Sequence, residues 1–362
     1  MDHLESRRKK LRRLLKKNHL PALLISTEEN VTYLTGFTGD STYLLFTSEE
    51  EILLSDARYT EQISQEAPGM KAEIRGTGET LSDILQRLLE TLKLNELGVE
   101  GANLSIATFN ALQKKCEGVE LLPQEGLVEE LRQIKDKTEI AIIRAAVEVA
   151  ERAFGVVRAG LRPEQTEKEV ADIIEYQVRL FGGSCTSFPP IVAAGPQSAL
   201  PHATPTSMKL GESPFILFDW GARVDGYCSD MTRMVFTDRV PKKMEKIYKI
   251  VLEAHEKAVA AIKPGIDTDE VDHIARKHIT DAGFGEAFGH SLGHGIGLQI
   301  HEGPTLSKRR SQELKPGMIV TVEPGIYLPG SCGVRIEDDI LVTRKGHENL
   351  TSLPKSFESA FV

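Results

Sequence analysis

The sequence predicts an α/β protein of two domains: a small N-terminal α/β domain over residues 1–126 and a pseudo-twofold domain over 127–362. Three observations carry this. The 362 residues exceed one ordinary domain, so two are expected. Short apolar runs alternate with helical patterns through the first third of the chain. The C-terminal part repeats itself: Gly160 and Gly265 each close an apolar, helix-like stretch and stand 105 residues apart.

Taken in order, the chain begins with a basic run, Arg7, Arg8, Lys9, Lys10, Arg12, Arg13, Lys16 and Lys17, with Leu4, Leu11, Leu14 and Leu15 at helical spacing beneath it. This reads as an amphipathic surface helix. An apolar run (22–26) and a Gly-rich turn (35–39) follow. Strands are expected near 42–47, 51–55 and 97–99, and helices near 59–66, 80–93 and 106–116. Gly36 and Gly39 lack the pattern of a nucleotide-binding loop. Residues 127–154 form a long amphipathic helical pattern with a break near Asp136–Lys137. No Pro/Ser/Gly linker separates the domains, so they are expected to pack together.

The second domain holds four carboxylates in apolar, strand-like segments. Asp219 and Asp230 lie in 215–236, and Glu323 and Glu337 lie in 318–342. Their offsets, 104 for Asp219 to Glu323 and 107 for Asp230 to Glu337, follow the glycine repeat. Asp219 and Glu323 are each followed two residues later by glycine, Gly221 and Gly325. A buried carboxylate needs a cation, a strong donor or a proton. Four of them converging with the imidazole of His294 suit two divalent metal ions. Oxygen and nitrogen donors suit manganese, cobalt, iron or zinc, of which manganese is the first expectation.

The net charge of −9 argues against nucleic acid or an anionic membrane as main partner. The basic start is not read as a signal peptide, because its apolar stretch is short and holds Pro21. No apolar run of about 20 residues suggests a membrane span. Cys116, Cys185, Cys228 and Cys332 form no CxxC pair and are expected as free thiols in a reducing cytoplasm. Cys228 and Cys332 lie inside the carboxylate segments, so a thiolate ligand is considered; neither has the close Cys or His partner of a sulfur-rich zinc site.

His290 and His294 stand four apart, as on a zinc-protease helix. No Glu follows His290, and four glycines occupy 289–297, so a loop or strand is expected instead. His301 lies in 300–304 and His202 in a Pro-flanked turn. At these residues the chain resembles the pita-bread metallopeptidases: aminopeptidase P, prolidase and methionine aminopeptidase, with creatinase as a non-peptidase relative. The phrases FDWGARVDGYCSDMTRMV, GHGIGLQIHEGP and VEPGIYLPGSCGVRIEDDILV carry the resemblance over roughly 125–355. NVTYLTGFTGD and SDARYTEQ resemble the small creatinase-like domain of the proline-specific members.

The resemblance implies roles. Asp219 binds one metal, Asp230 and Glu337 bridge both, and His294 and Glu323 complete the second site. Glu323 is also the expected general acid/base, and His202, His290 and His301 line the cleft, two of them holding the substrate carbonyl and oxyanion. Arg335 and Tyr227 are expected to orient carboxylates. The implied reaction is release of the N-terminal residue from small Xaa-Pro peptides by a homodimeric enzyme. An Xaa-Pro dipeptidase is the alternative. Some prolidases carry an arginine directly after the HExP phrase. Thr305 stands at that position here, with Lys308, Arg309 and Arg310 beyond it, which tilts the reading to the aminopeptidase. A methionine-removing enzyme and a non-catalytic binding protein are the remaining alternatives.

Overall fold

The computed structural model describes residues 3–309 and 311–362. The chain separates into two compact units between Arg132 and Gln133. That division falls six residues beyond the boundary expected at 126/127, because the short helix Leu127–Arg132 belongs to the first unit.

The first unit runs α1 (His3–Lys17), β1 (Ala22–Ile25), α2 (Glu28–Thr35), β2 (Tyr43–Thr47), β3 (Glu51–Asp56), α3 (Thr60–Glu66), β4 (Lys71–Arg75), α4 (Leu81–Thr91), β5 (Glu96–Glu100), α5 (Ile106–Lys115), β6 (Glu120–Gln124) and α6 (Leu127–Arg132). Its six strands form one mixed sheet in the order β4-β3-β2-β1-β5-β6. Helix α1 buries Leu11 and Leu15, as its leucine spacing predicts. Helix α2 was not legible in the sequence. It ends where Gly36 adopts φ 81° and its N–H caps Thr32 O, so the expected turn is that helix's C-cap. The carboxylate of Glu100 accepts from Ser26, Thr27 and Asn30, which fixes the end of β5 to the start of α2.

The second unit contains α7 (Lys137–Ala159), α8 (Glu167–Leu180), β7 (Cys185–Thr186), β8 (Ile191–Ala194), β9 (Phe215–Trp220), β10 (Ala222–Val224), β11 (Tyr227–Cys228), β12 (Met231–Phe236), α9 (Lys242–Ala261), α10 (Thr268–Asp281), β13 (Gly293–Gly295), β14 (Glu302–Leu306), β15 (Ile319–Val322), β16 (Gly325–Leu328), β17 (Cys332–Arg335), β18 (Asp338–Val342) and β19 (His347–Asn349). A helix pair followed by an antiparallel strand pair occurs twice: α7/α8 with β9/β12, then α9/α10 with β15/β18. This is the repeat seen in the sequence. The helical break falls at Asp136, which caps α7 by accepting from Thr138 N and Glu139 N while Glu139 returns the bond.

Strand alternation sorts the side chains. Along β9, Ile216, Phe218 and Trp220 pack with α7 and α8, and the Trp220 ring stacks on Phe154 at 4.1 Å. Phe215 and Leu217 point to the other core, with α9 and α10. Period two then places Asp219 on that second face, at the strand end. Its register partner on β12 is Thr232, on the same face as Met234 and Phe236.

Candidate metal centre and catalytic cleft

A cavity of about 560 Å³ opens at the ends of these strands. Asp219 comes from the end of β9, Asp230 from just before β12, His294 from β13, Glu323 from just after β15 and Glu337 from just before β18. All five line the cavity, together with His202, His290, His301, Thr305 and Arg335. Glycines allow the close approach this needs. A Cβ on Gly221 would lie 1.8 Å from Ser229 O, and one on Gly293 would lie 2.0 Å from Thr321 O.

One ligand atom each of Asp230, His294 and Glu337 falls within a 4.8 Å group. His294 Nε2 lies 3.3 Å from Glu323 Oε1 and 3.7 Å from Asp230 Oδ2. Asp219 joins the cluster through Arg335, whose Nη2 donates to Asp219 Oδ2 at 2.5 Å. Glu337 Oε2 accepts from Thr232 Oγ1 at 2.6 Å. Asp219 Oδ1 and Glu337 Oε1 are buried without a hydrogen-bond partner. Burial, and then mutual repulsion with Glu337 and Asp219, raises the Asp230 carboxyl well above the usual range. Glu337 is raised in the same way by burial and by Glu323. Burial pushes Glu323 up to about 8 and holds His294 down to about 3. Acids raised together, beside an imidazole kept neutral and with buried oxygens left unpaired, form a donor set that fits divalent cations.

Residues 141–344 match Metallopeptidase family M24. The chain belongs to this family. Residues 7–134 match the Creatinase/Prolidase N-terminal domain, so a creatinase-type α/β domain precedes an M24 pita-bread catalytic domain. An uncharacterized peptidase of Bacillus subtilis is 38% identical over 346 residues, covering 96% of this chain and 98% of its own. Among solved structures, an Xaa-Pro dipeptidase from Bacillus anthracis shares 38% identity with a TM-score of 0.94, covering 99% of this chain and 100% of that one. An X-Pro aminopeptidase from Thermotoga maritima shares 36% identity with a TM-score of 0.88, covering 96% and 99%.

Within the M24 domain the cleft histidines differ in their surroundings. His290 Nδ1 lies 2.7 Å from Ser291 O, and its Nε2 lies 3.0 Å from Tyr327 Oη, which in turn accepts from Arg335 Nη1 at 2.8 Å. Both ring nitrogens are therefore engaged inside the protein, and burial holds the ring neutral, down to about 4. His301 packs edge-on against His294 with ring centroids 4.4 Å apart. Burial and then His202 lower its pKa.

Arg335 stands where the sequence places it, but Tyr227 does not. The Tyr227 hydroxyl bonds Glu139 at 3.0 Å, and the residue does not line the cleft. Cys228 and Cys332 do not line it either. Of the basic run beyond Thr305, Lys308 and Arg309 are not among the lining residues, and Arg310 lies outside the described residues. Sequence reading missed Tyr327, Thr232 and Asp339. Asp339 accepts from the backbone N–H of Asp230 at 3.0 Å. The available signal was parity: Thr232 and Asp339 each follow a ligand candidate by two residues in an extended segment, and Tyr327 follows Glu323 by four.

Proposed function

We propose that this M24 metallopeptidase hydrolyses the Xaa-Pro bond at the N-terminus of small peptides, releasing the first residue. The observation that carries the reading is the convergence of Asp219, Asp230, His294, Glu323 and Glu337 on one cavity that His202 and His301 also line. Asp219, Asp230 and Glu337 would hold one divalent cation, and Asp230, Glu337, His294 and Glu323 a second, with manganese the expected ion. Bound, such cations supply Lewis acidity that lowers the pKa of water and polarises a carbonyl.

The chain's own residues do the rest. Glu323 takes a proton from the attacking water and returns it to the leaving nitrogen. Among the described residues, neither the His202 ring nor the His301 ring is hydrogen-bonded, so both are available to the substrate carbonyl and the developing oxyanion. His290, held by Tyr327 and Ser291, supports this wall rather than donating to substrate. Arg335 orients Asp219 and, through Thr232, Glu337.

Among the described residues that line the cleft the one guanidinium, Arg335, is spent on Asp219, and Thr305 brings no charge. A dipeptide would present its carboxylate to this wall without a free cation, which favours tripeptides and longer substrates. The similarity to a protein named Xaa-Pro dipeptidase supports the second reading, in which imidazoles meet that carboxylate. A homodimer in the cytoplasm belongs to the same proposal, supported by the resemblance and the four free cysteines.

The test is cleavage of Ala-Pro-Ala beside Ala-Pro by Mn²⁺-loaded protein. Faster cleavage of the tripeptide is expected, and faster cleavage of the dipeptide makes the enzyme an Xaa-Pro dipeptidase. Metal binding with neither peptide cut would overturn the proline reading and direct attention to Met-Ala peptides.

A further inference from the structure

A second cavity in the M24 domain, of about 660 Å³, shares no lining residue with the cleft. Its wall is apolar, with Phe154, Leu161, Leu210, Met234 and Leu353 among its residues. Among the described residues its charged side chains are Arg158, Arg162 and Arg233, with no Asp or Glu, and Val362, the last residue of the sequence, lines it with them. Arg233 is spent on Asp338 at 2.6 Å. The guanidinium of Arg162 makes no hydrogen bond or ion pair among the described residues. Arg158 donates through Nη2 to Ser359 O and Phe361 O, both at 2.7 Å, and so fixes the segment forming one side of the cavity.

Gly155 also lines the cavity, inside helix α7, where glycine is less stable than alanine. A Cβ there would meet no heavy atom within 4 Å. Nothing among the described residues forbids a side chain at 155, yet none fills the space. The guanidinium of Arg162, the N–H groups of Arg158 not given to Ser359 O and Phe361 O, an apolar wall and the open space at Gly155 are complementary to an anion with an apolar body.

We propose that this cavity binds a small amphipathic carboxylate of the fatty-acid type, with its carboxylate on Arg158 and Arg162 and its chain along Phe154, Met234 and Leu353. A peptide fits less well, because polar groups that could meet its amides are already engaged. Leu353 O accepts from Arg233, Ser359 O accepts from Arg158, and the Tyr248 hydroxyl donates to Lys355 O.

The experiment is calorimetric titration of the full chain with octanoate and, separately, octylammonium. Octanoate should bind and octylammonium should not. Gly155→Phe, which sets a ring into that open space, should abolish octanoate binding. Arg162→Glu, an exposed change that spares folding, should weaken it about tenfold or more. Peptide hydrolysis should be unchanged in both variants. Absence of octanoate binding, equal binding of the two amphiphiles, or binding indifferent to both substitutions would overturn the site. So would a change of sedimentation coefficient in Gly155→Phe, which would make the cavity a contact between copies of this chain.

Discussion

Glu323 is 16% exposed in its side chain, sits 3.3 Å from His294 Nε2 and accepts from Thr321 Oγ1 at 3.2 Å. Burial, against the opposing Arg335 and Thr321 and with Asp219 adding to it, pushes its carboxyl to about 8, and a cation beside it reverses that preference. The residue can thus hold a proton or release it according to what lies next to it, as a proton carrier must. Glu323→Ala should lower turnover by about two to four orders of magnitude and weaken metal affinity as well; steady-state kinetics with a metal titration checks both, and near-normal turnover would break the assignment. His255 tests a different physics. It is fully buried on α9, 3.3 Å from Asp338 Oδ2 but without hydrogen-bond geometry, and burial holds its pKa down to about 4. Asp338 opposes that shift, and Lys355 and Arg233 reinforce it. Because the folded value lies below the unfolded one, the unfolded chain takes up the proton first. The contribution is intact above about pH 6.5 and is lost as pH falls towards 4. His255→Gln should therefore lose less melting temperature than wild type between pH 7 and pH 5, and parallel curves would contradict this.

At the scale of elements, the two capped helix starts that open the M24 domain show what local sequence can specify. Asp136 and Glu139 form a reciprocal cap on α7, and Thr166 with Glu169 does the same on α8. Asp136→Ala should cost about 0.5–2 kcal/mol and lower the melting temperature by about 2–6 °C, read by calorimetry; no change would mean the cap is redundant with tertiary packing. The same locality explains what could be read in advance. The carboxylate strands stood out because a charge in an otherwise apolar strand is costly, and the paired offsets made the repeat visible. Helix α2 was hidden because Val31, Thr32, Tyr33 and Thr35 favour strands, and tertiary burial overrides that preference. Strand β4 (KAEIR) is polar, and β6 carries Pro123; both are edge strands with little periodic signal. Tyr327 and Thr232 act through contacts with residues far along the chain, which no local pattern encodes.

For the molecule as a whole, this carboxylate cluster would be a liability without a cation. Asp230, Glu337 and Asp339 are buried, their pKa values are raised, and oxygens of Glu337 and Asp339 lack partners. A ligand that binds only the folded state stabilises it by mass action, about 2.7 kcal/mol at a hundredfold excess over Kd. Chelation should therefore lower the melting temperature by about 5–10 °C, and Mn²⁺ should restore it. A melt indifferent to chelator and to Mn²⁺ would show that these carboxylates hold no cation.

The two halves of the M24 domain exchange arginines. Arg233 of the first half donates to Glu337 O and Asp338 of the second, and Arg335 of the second donates to Asp219 and Thr232 of the first. Each half thus holds a buried charge of the other, although Asp338 also accepts from Asn349 and Lys355 of its own half. Their backbone amides should therefore open to solvent exchange as one cooperative block, with β9, β12 and β18 losing protection together rather than strand by strand.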